Sequence, residues 1–422
     1  MDDIVWPPKN KERRPRDRKR AVDVIEKPSA AALGDMPADI EMPEPDKPEV
    51  AKPELGSEMP DQKKTHWWQL RHKNYSKKQW ALLIAGAIIL IWVAALGGYK
   101  LYKHFSYTNT PDTLQLGNKK PKLPPAPTTV PSNLTGLAVD PVANSRQVTA
   151  IMIENSPDSR PQSGLRDAGI VFEAIAEGGI TRFVALYQAE TPDYIGPVRS
   201  IRPYYLDFIM PFDAAIAHVG GAPQALADIK ALSVKDLDQF ANSGAYNRIA
   251  GRYAPHNVYT NISKLNELEN AKGFKSSKFT SFPRKKESAS KQPTATSIDF
   301  AISGFYYNVH YDYDAADNSY KRNEGGQAHI DEKSGAQLKP KVVVALLMSR
   351  GIASDGQHTN YTTVGDGDMY VFQDGTLTQG VWHKTDRKAQ FTFTDKTTGK
   401  PIAFNPGQTW VSIVDPGKVT YK

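Results

Sequence analysis

The stretch from Gln79 to Tyr99, QWALLIAGAIILIWVAALGGY, carries no charged residue. A helix needs about 20 consecutive apolar residues to cross the hydrocarbon core of a bilayer, so this run predicts a transmembrane helix over 79–102. Trp67, Trp68 and Trp80 on one side, with Tyr99 and Tyr102 on the other, suit the interfacial belts that amphipathic rings favour. Lys63, Lys64, Arg71, Lys73, Lys77 and Lys78 precede the run, whereas only Lys100 and Lys103 follow it closely. Positive residues stay on the cytoplasmic side, so the pattern predicts a single-pass signal-anchor with a cytoplasmic N-terminus and an extracytoplasmic C-terminal domain. A cleaved signal peptide is the competing reading, but its apolar region would lie nearer the N-terminus and be shorter.

On either side of that run the chain changes character. Residues 1–78 pass from the basic block KERRPRDRKR into an acidic, proline-rich run without apolar periodicity. Such a segment cannot offset the entropy of ordering itself, and it reads as a disordered cytoplasmic tail, either a plain spacer or a partner-binding segment. Residues 103–140, rich in Pro, Thr, Asn and Lys, read as an extended stalk. The net charge of +7 sits mainly in the tail and the membrane flanks, so nucleic acid is not an expected partner. The sequence contains no cysteine, which excludes disulfides, thiolate metal sites and a cysteine nucleophile.

Folding proper is expected from Pro141, and SSKFTSFPRKKESASKQPTATS at 276–297 reads as a linker between residues 141–275 and 298–422. In the first part VTAIMIE reads as a strand, IVFEAIAEGGITRFVALYQAE as a hairpin turning at Gly178-Gly179, and PYYLDFIM and APQALADIKAL as helices. The second part is rich in aromatic and β-branched residues separated by Gly, Asn and Asp, which predicts a mostly antiparallel sheet. The expected fold class is α+β: one transmembrane helix, an α/β subdomain and a mostly antiparallel β subdomain.

The blocks SRPQSGLRDAGIVFEAIAEGGITRF, IGPVRSIRPYYLDF, AHVGGAPQALADI and APHNVYT, followed by YKRNEGGQAHID, VWHK and NPGQTW, closely resemble the bacterial YerB-like envelope proteins. The resemblance covers roughly residues 141–415 in the same order and two-part layout. It implies an extracytoplasmic domain of unknown function, often tethered through a lipidated cysteine. This sequence has no cysteine, so the expectation is that the apolar helix replaces the lipid anchor.

Alternation along the expected hairpin places Glu173, Ile175 and Glu177 on one face, together with Ile180, Arg182 and Val184 of the return strand. Glu173 and Glu177 are therefore candidate acid and base on a glycan, which requires carboxyl groups about 5–9.5 Å apart. Four residues of strand rise about 13 Å, which tells against that pair and leaves an internal ion-pair network as the alternative. Arg160, Arg166, Arg199 and Arg202 form a second group near a helix entry, a setting that suits an anion or internal carboxylates equally. His218, at the end of a strand before Gly-Gly, is a candidate general acid or base, or a hydrogen-bonded core histidine. His256 and Asn257 in APHN are candidate ligand contacts. A metal set of His218, His256, His329 and Asp331 lacks ligand spacing beyond its last two members, so no metal and no cofactor is expected. Trp382, Lys384 and Trp410 would present a sugar platform or serve as core and edge residues.

Two functions remain open on this reading. One is an envelope module binding an anionic wall polymer, peptidoglycan or a protein through Arg160, Arg182, Arg199 and Arg202. The other is a cell-wall glycan or peptide hydrolase or lyase using Glu173 or Glu177 with His218 assisting.

Overall fold

The computed structural model describes residues 77–108, 128–353 and 356–422, in two units divided between Gln115 and Leu116. The expected tail, the membrane flank around Trp67 and Trp68, and most of the stalk lie outside the described residues.

In the first unit, α1 (Lys77–Thr108) is a single helix of 32 residues. The expectation that it spans a bilayer is corrected: among the described residues, no helix is long and apolar enough to cross a membrane. The signal-anchor, the bilayer as partner through residues 79–102, and the single-pass topology with a cytoplasmic N-terminus rested on that helix and are withdrawn with it. The α+β character of the chain stands.

The second unit is organised by the strands β1 (Thr149–Glu154), β2 (Ile170–Glu177), β3 (Ile180–Tyr187), β4 (Ala215–Ala217) and β5 (Lys235–Asp236). Besides a single turn at Pro141–Asn144, three longer helices accompany them: α2 (Pro203–Ile209), α3 (Pro223–Ala231) and α4 (Ile262–Ala271). Further along lie β6 (Ser297–Phe300), β7 (Val309–Asp314), β8 (Ser319–Glu324), β9 (Gln327–Ala328), β10 (Val342–Leu347), β11 (Gly365–Gln373), β12 (Thr376–Lys384), β13 (Thr392–Asp395), β14 (Thr409–Val414) and β15 (Val419–Tyr421).

Ten of these strands form one mixed sheet in the order β13-β12-β11-β10-β14-β2-β3-β1-β4-β5. Because β14 pairs in parallel with β10 on one side and with β2 on the other, the sheet runs without a break through both halves of the sequence. The central strands are unbroken apolar runs because both faces are covered. Along β1, Ala150 and Met152 enter one core cluster, while Ile151 and Ile153 enter a second on the opposite face. Val184 and Leu186 against Phe183 and Ala185 repeat the division on β3. The aromatic residues of α2, with Phe172 stacked on Phe208 at 5.3 Å, belong to the first cluster.

A second sheet, β9-β8-β7-β6-β15, is antiparallel and closes over the first cluster through Ile298, Phe300, Val309, Tyr311 and Tyr320. Its β8–β9 hairpin turns at Gly325-Gly326, both at positive φ, where a Cβ on Gly325 would stand 3.2–3.3 Å from the Tyr306 backbone. Glycine there lets the hairpin seat closely on the 305–307 turn. That seating brings Glu324 to a cavity.

Candidate functional site

The β2–β3 hairpin exists, turned by Gly178-Gly179 at positive φ, but its register departs from simple alternation. A bulge lies between Ile175 and Glu177, so Glu173 stands opposite Phe183 while Glu177 stands opposite Ile180. One extra residue in a strand reverses the faces beyond it. Glu173 therefore lies on one face with Phe183, and Glu177 lies on the other with Ile180 and Arg182. The expected convergence of the two glutamates does not occur.

Each carboxylate has its own cations. Glu177 accepts from Arg182 at 2.9 Å and from Arg202 Nε at 2.8 Å. Burial pushes its carboxyl up, but the two guanidinium groups more than offset this and hold it below its ordinary value. Replacing Glu177 by Gln should cost about 1–2 kcal/mol, since Arg182 and Arg202 are themselves nearly buried and would lose their anion. Because the folded carboxyl is depressed, this contribution is present above the ordinary carboxyl range and is lost as pH falls through the folded value. Urea titrations of both proteins at neutral and acid pH test this, and equal midpoints at neutral pH would refute it.

Glu173 is completely buried. Arg322 NH2 lies 3.0 and 3.1 Å from its two oxygens, while Trp410 Nε1 and Ser412 Oγ each donate to Oε2 at 3.0 Å. Arg322 is also buried, with its guanidinium 4.4 Å from the Trp410 ring centroid. Trp410 and Trp382 are both core residues, so neither offers a platform, and Lys384 is buried with its ammonium donating to the Ala389 carbonyl. His218 is fully enclosed between Asp236, 3.0 Å from Nε2, and the Gly220 carbonyl, 2.8 Å from Nδ1. These contacts make it a core histidine of the β4–β5 edge, with no contact to Glu173 or Glu177.

A third cluster gathers where β1 ends in Glu154, Asn155 and Ser156. Arg199 Nε lies 3.2 Å and His256 Nδ1 3.0 Å from Glu154 Oε1. Asn257 ties its own loop, accepting from Arg248 at 2.8 Å and donating to the Ile249 carbonyl at 3.4 Å. Arg166 is exposed. Arg160 donates to the side chain and carbonyl of Asn155 at 3.1 and 3.0 Å, reaches Glu324 at 3.5 Å, and covers the Tyr307 ring at 5.3 Å. His218, His256 and His329 stand in separate neighbourhoods, and among the described residues no group of three such ligands could hold a metal ion.

Beside Arg160 opens a cavity of about 440 Å³. One wall is the 157–161 turn; the other is Phe305 and Tyr306, exposed rings at 67% and 61%. Glu324 and His329 line it from β8 and from just beyond β9. Asn155 Nδ2 donates to Glu324 Oε1 at 2.7 Å, and both arginines approach that same oxygen, leaving Oε2 with no partner. His329 Nδ1 also has no hydrogen-bond partner and lies 3.6 Å from Glu324 Oε2. Burial raises the Glu324 carboxyl above its ordinary value despite Arg322 and Arg160. Burial, and then the same two cations, push His329 well below its ordinary value.

Sequence reasoning reached Arg160 here, and reached His329 only as a metal candidate. Glu324, Arg322 and Glu154 were missed. The signal available was charge on the buried face of SYKRNE, where Tyr320, Arg322 and Glu324 alternate inward.

Residues 134–275 match the family described as "Protein of unknown function (DUF3048) N-terminal domain", and residues 298–411 match its C-terminal domain. A curated relative, "Putative lipoprotein YerB" of Bacillus subtilis (strain 168), is 29% identical over 286 residues, 67% of this chain and 85% of that protein. The crystal structure of YerB protein from Bacillus subtilis superposes with a TM-score of 0.62 at 27% identity, covering 70% of this chain and 99% of that one.

Proposed function

The chain belongs to the DUF3048 family, and from that premise we propose that its folded unit is an envelope module that binds a saccharide-bearing polymer in the cavity over Glu324 and His329. An extracytoplasmic envelope role is supported by the relation to a putative lipoprotein, although this sequence has no cysteine to carry a lipid. The observation that carries the ligand reading is the pairing, in one cavity, of the exposed rings of Phe305 and Tyr306 with the polar side chains of Arg160 and Gln327. Aromatic faces cover the apolar face of a sugar ring, while a few convergent polar groups fix its hydroxyls.

Binding of an anionic polymer through the arginines is the weaker form of this reading. Arg182 and Arg202 are committed to Glu177, Arg199 to Glu154, and Arg160 to Asn155 and Glu324. A hydrolase built on Glu173 and Glu177 is weaker still, because they lie on opposite faces and Glu173 has no access to solvent.

Tyr306→Ala should weaken binding of muramidase-released peptidoglycan glycan fragments at least about tenfold, the equivalent of one lost sugar–ring contact. The residue is exposed, so its melting temperature should stay within a degree or two. Sedimentation and titration with those fragments provide the measurement. Unchanged affinity in the variant, or no affinity in the parent protein, would sink the proposal.

A further inference from the structure

We infer that Lys285 and Asn405 join through an isopeptide bond, the lysine Nζ displacing the side-chain nitrogen of the asparagine as ammonia while Asp374 carries the protons. No ligand takes part, and nothing in the cavity is needed.

The backbone brings the three residues together. Lys285 lies in the 276–297 segment, where its N–H donates to the Phe404 carbonyl at 3.0 Å and the Phe404 N–H donates to the Pro283 carbonyl at 2.8 Å. These bonds set Lys285 beside the residue that follows Phe404. Asn405 is fully buried and held from both sides, its N–H donating to Gln373 Oε1 at 2.8 Å and its carbonyl accepting from Arg284 at 2.9 Å. Asp374 reaches them from the turn between β11 and β12, where it and Gly375 both take positive φ.

Hydrogen bonds then orient the reacting groups. Asp374 Oδ1 accepts from Asn405 Nδ2 at 2.7 Å and from Asn318 Nδ2 at 2.8 Å. A carboxylate only accepts, so the amide nitrogen of Asn405 faces the aspartate and its Oδ1 faces the lysine. Lys285 Nζ donates to that Oδ1 at 2.6 Å. A C=O bond is about 1.2 Å long, so Nζ stands at most about 3.8 Å from Asn405 Cγ, near the roughly 3–3.5 Å of an attacking pair. Lys285 Nζ also donates to Asp374 Oδ2. One carboxylate thus touches the nucleophile through one oxygen and the leaving nitrogen through the other. Burial pushes this carboxyl up, but the donors on Lys285, Asn318 and Asn405 more than offset this and hold it below its ordinary value, so it starts as a carboxylate.

The atoms balance without an oxidant or a second reactant. Asp374 Oδ2 takes one proton from the Lys285 ammonium and leaves a neutral amine. The amine lone pair forms the bond to Cγ, the Cγ–Nδ2 bond breaks, and a second Nζ proton passes through the carboxyl to the departing nitrogen. Ammonia leaves with the remaining proton as ammonium, Nζ keeps one hydrogen as the new amide N–H, and Asp374 returns to a carboxylate. The lysine side chain is 32% exposed, which gives the ammonium a way out. Cyclisation of Asn405 onto the next backbone nitrogen is closed, because Pro406 carries no N–H. The product ties residues 120 apart in the sequence, restricting the unfolded chain as a disulfide does, in a sequence without cysteine.

The electrospray mass of the intact full chain, purified and then denatured, should fall short of its sequence mass by one ammonia. A tryptic digest should contain a branched peptide joining Lys285 to the segment that holds Asn405. Lys285→Arg and Asp374→Ala should each restore the full sequence mass. The parent measurement needs no variant, so misfolding of either variant cannot mask the result. A parent chain at full sequence mass overturns the inference and leaves Lys285 as an ion-pair partner of Asp374. Loss of water in place of ammonia would move the bond to Asp374 and overturn the choice of Asn405, and a missing ammonia without the branched peptide would overturn it as well. A branched peptide from Asp374→Ala would overturn the role given to the aspartate.

Discussion

Arg322→Met should destabilise the folded unit by about 3–5 kcal/mol, enough to leave a marginally stable domain largely unfolded. Arg322 and Glu173 are both without solvent contact, and the guanidinium is the cation facing that carboxylate. Removing it strands a charge among Trp410, Phe183 and Tyr311, where water cannot reach it. The cost belongs to the uncompensated charge and not to the pair itself, since the desolvation of two ions nearly offsets their attraction. Glu173→Gln combined with Arg322→Met should therefore recover most of the loss. A glutamine still accepts from Trp410 and Ser412, and no buried charge remains. Denaturant titration of the two variants measures the difference. A single variant within 1 kcal/mol of the parent, or a double variant as unstable as the single one, would refute the account.

The bulge between Ile175 and Glu177 explains where the hairpin departs from the expected alternation. The alternation of Glu173, Ile175 and Glu177 is plain in the sequence, and so is the Gly178-Gly179 turn. The bulge that separates the two glutamates has no signature in residue type, because Ala174, Ala176 and their neighbours suit either face. Strands, turns and the helices over PYYLDFIM and APQALADIKAL were legible because their periodicity and capping prolines are local. The insertion of β14 between β10 and β2 was not legible, because a parallel pairing between strands more than 200 residues apart in sequence leaves no local pattern.

The site was legible in part for the same reason. Arg160 and the VTAIMIE strand end are local features, whereas the cavity joins the 157–161 turn to a hairpin beyond residue 320. Charged residues on the inward positions of SYKRNE were the available clue, since inward charge on a strand requires partners from elsewhere. The helix over 79–102 shows the opposite error, in which a strong local pattern carried a topology that the described residues do not support.

Glu269→Gln should raise stability above neutral pH by up to about 3 kcal/mol while leaving it unchanged in acid. Glu269 is buried on α4, where Thr149 Oγ1 donates to its Oε1 at 2.8 Å. Burial pushes its carboxyl up to about 7 from an ordinary 4.5, although Thr149 and Lys235 act in the other direction. Between these values the folded chain holds a proton that the unfolded chain has released. Folding stability therefore falls as pH rises across that window, by about 1.4 kcal/mol per unit for one group. The contribution is fully present below the unfolded value and is lost as pH passes the folded one. Glutamine stays neutral throughout and can still accept from Thr149, so the variant escapes the loss. The difference between variant and parent, taken from urea midpoints at matched pH, should be near zero at pH about 4 and reach its maximum at pH about 8. A difference independent of pH would mean that Glu269 ionises normally, and that Thr149 and Lys235 compensate its burial in full.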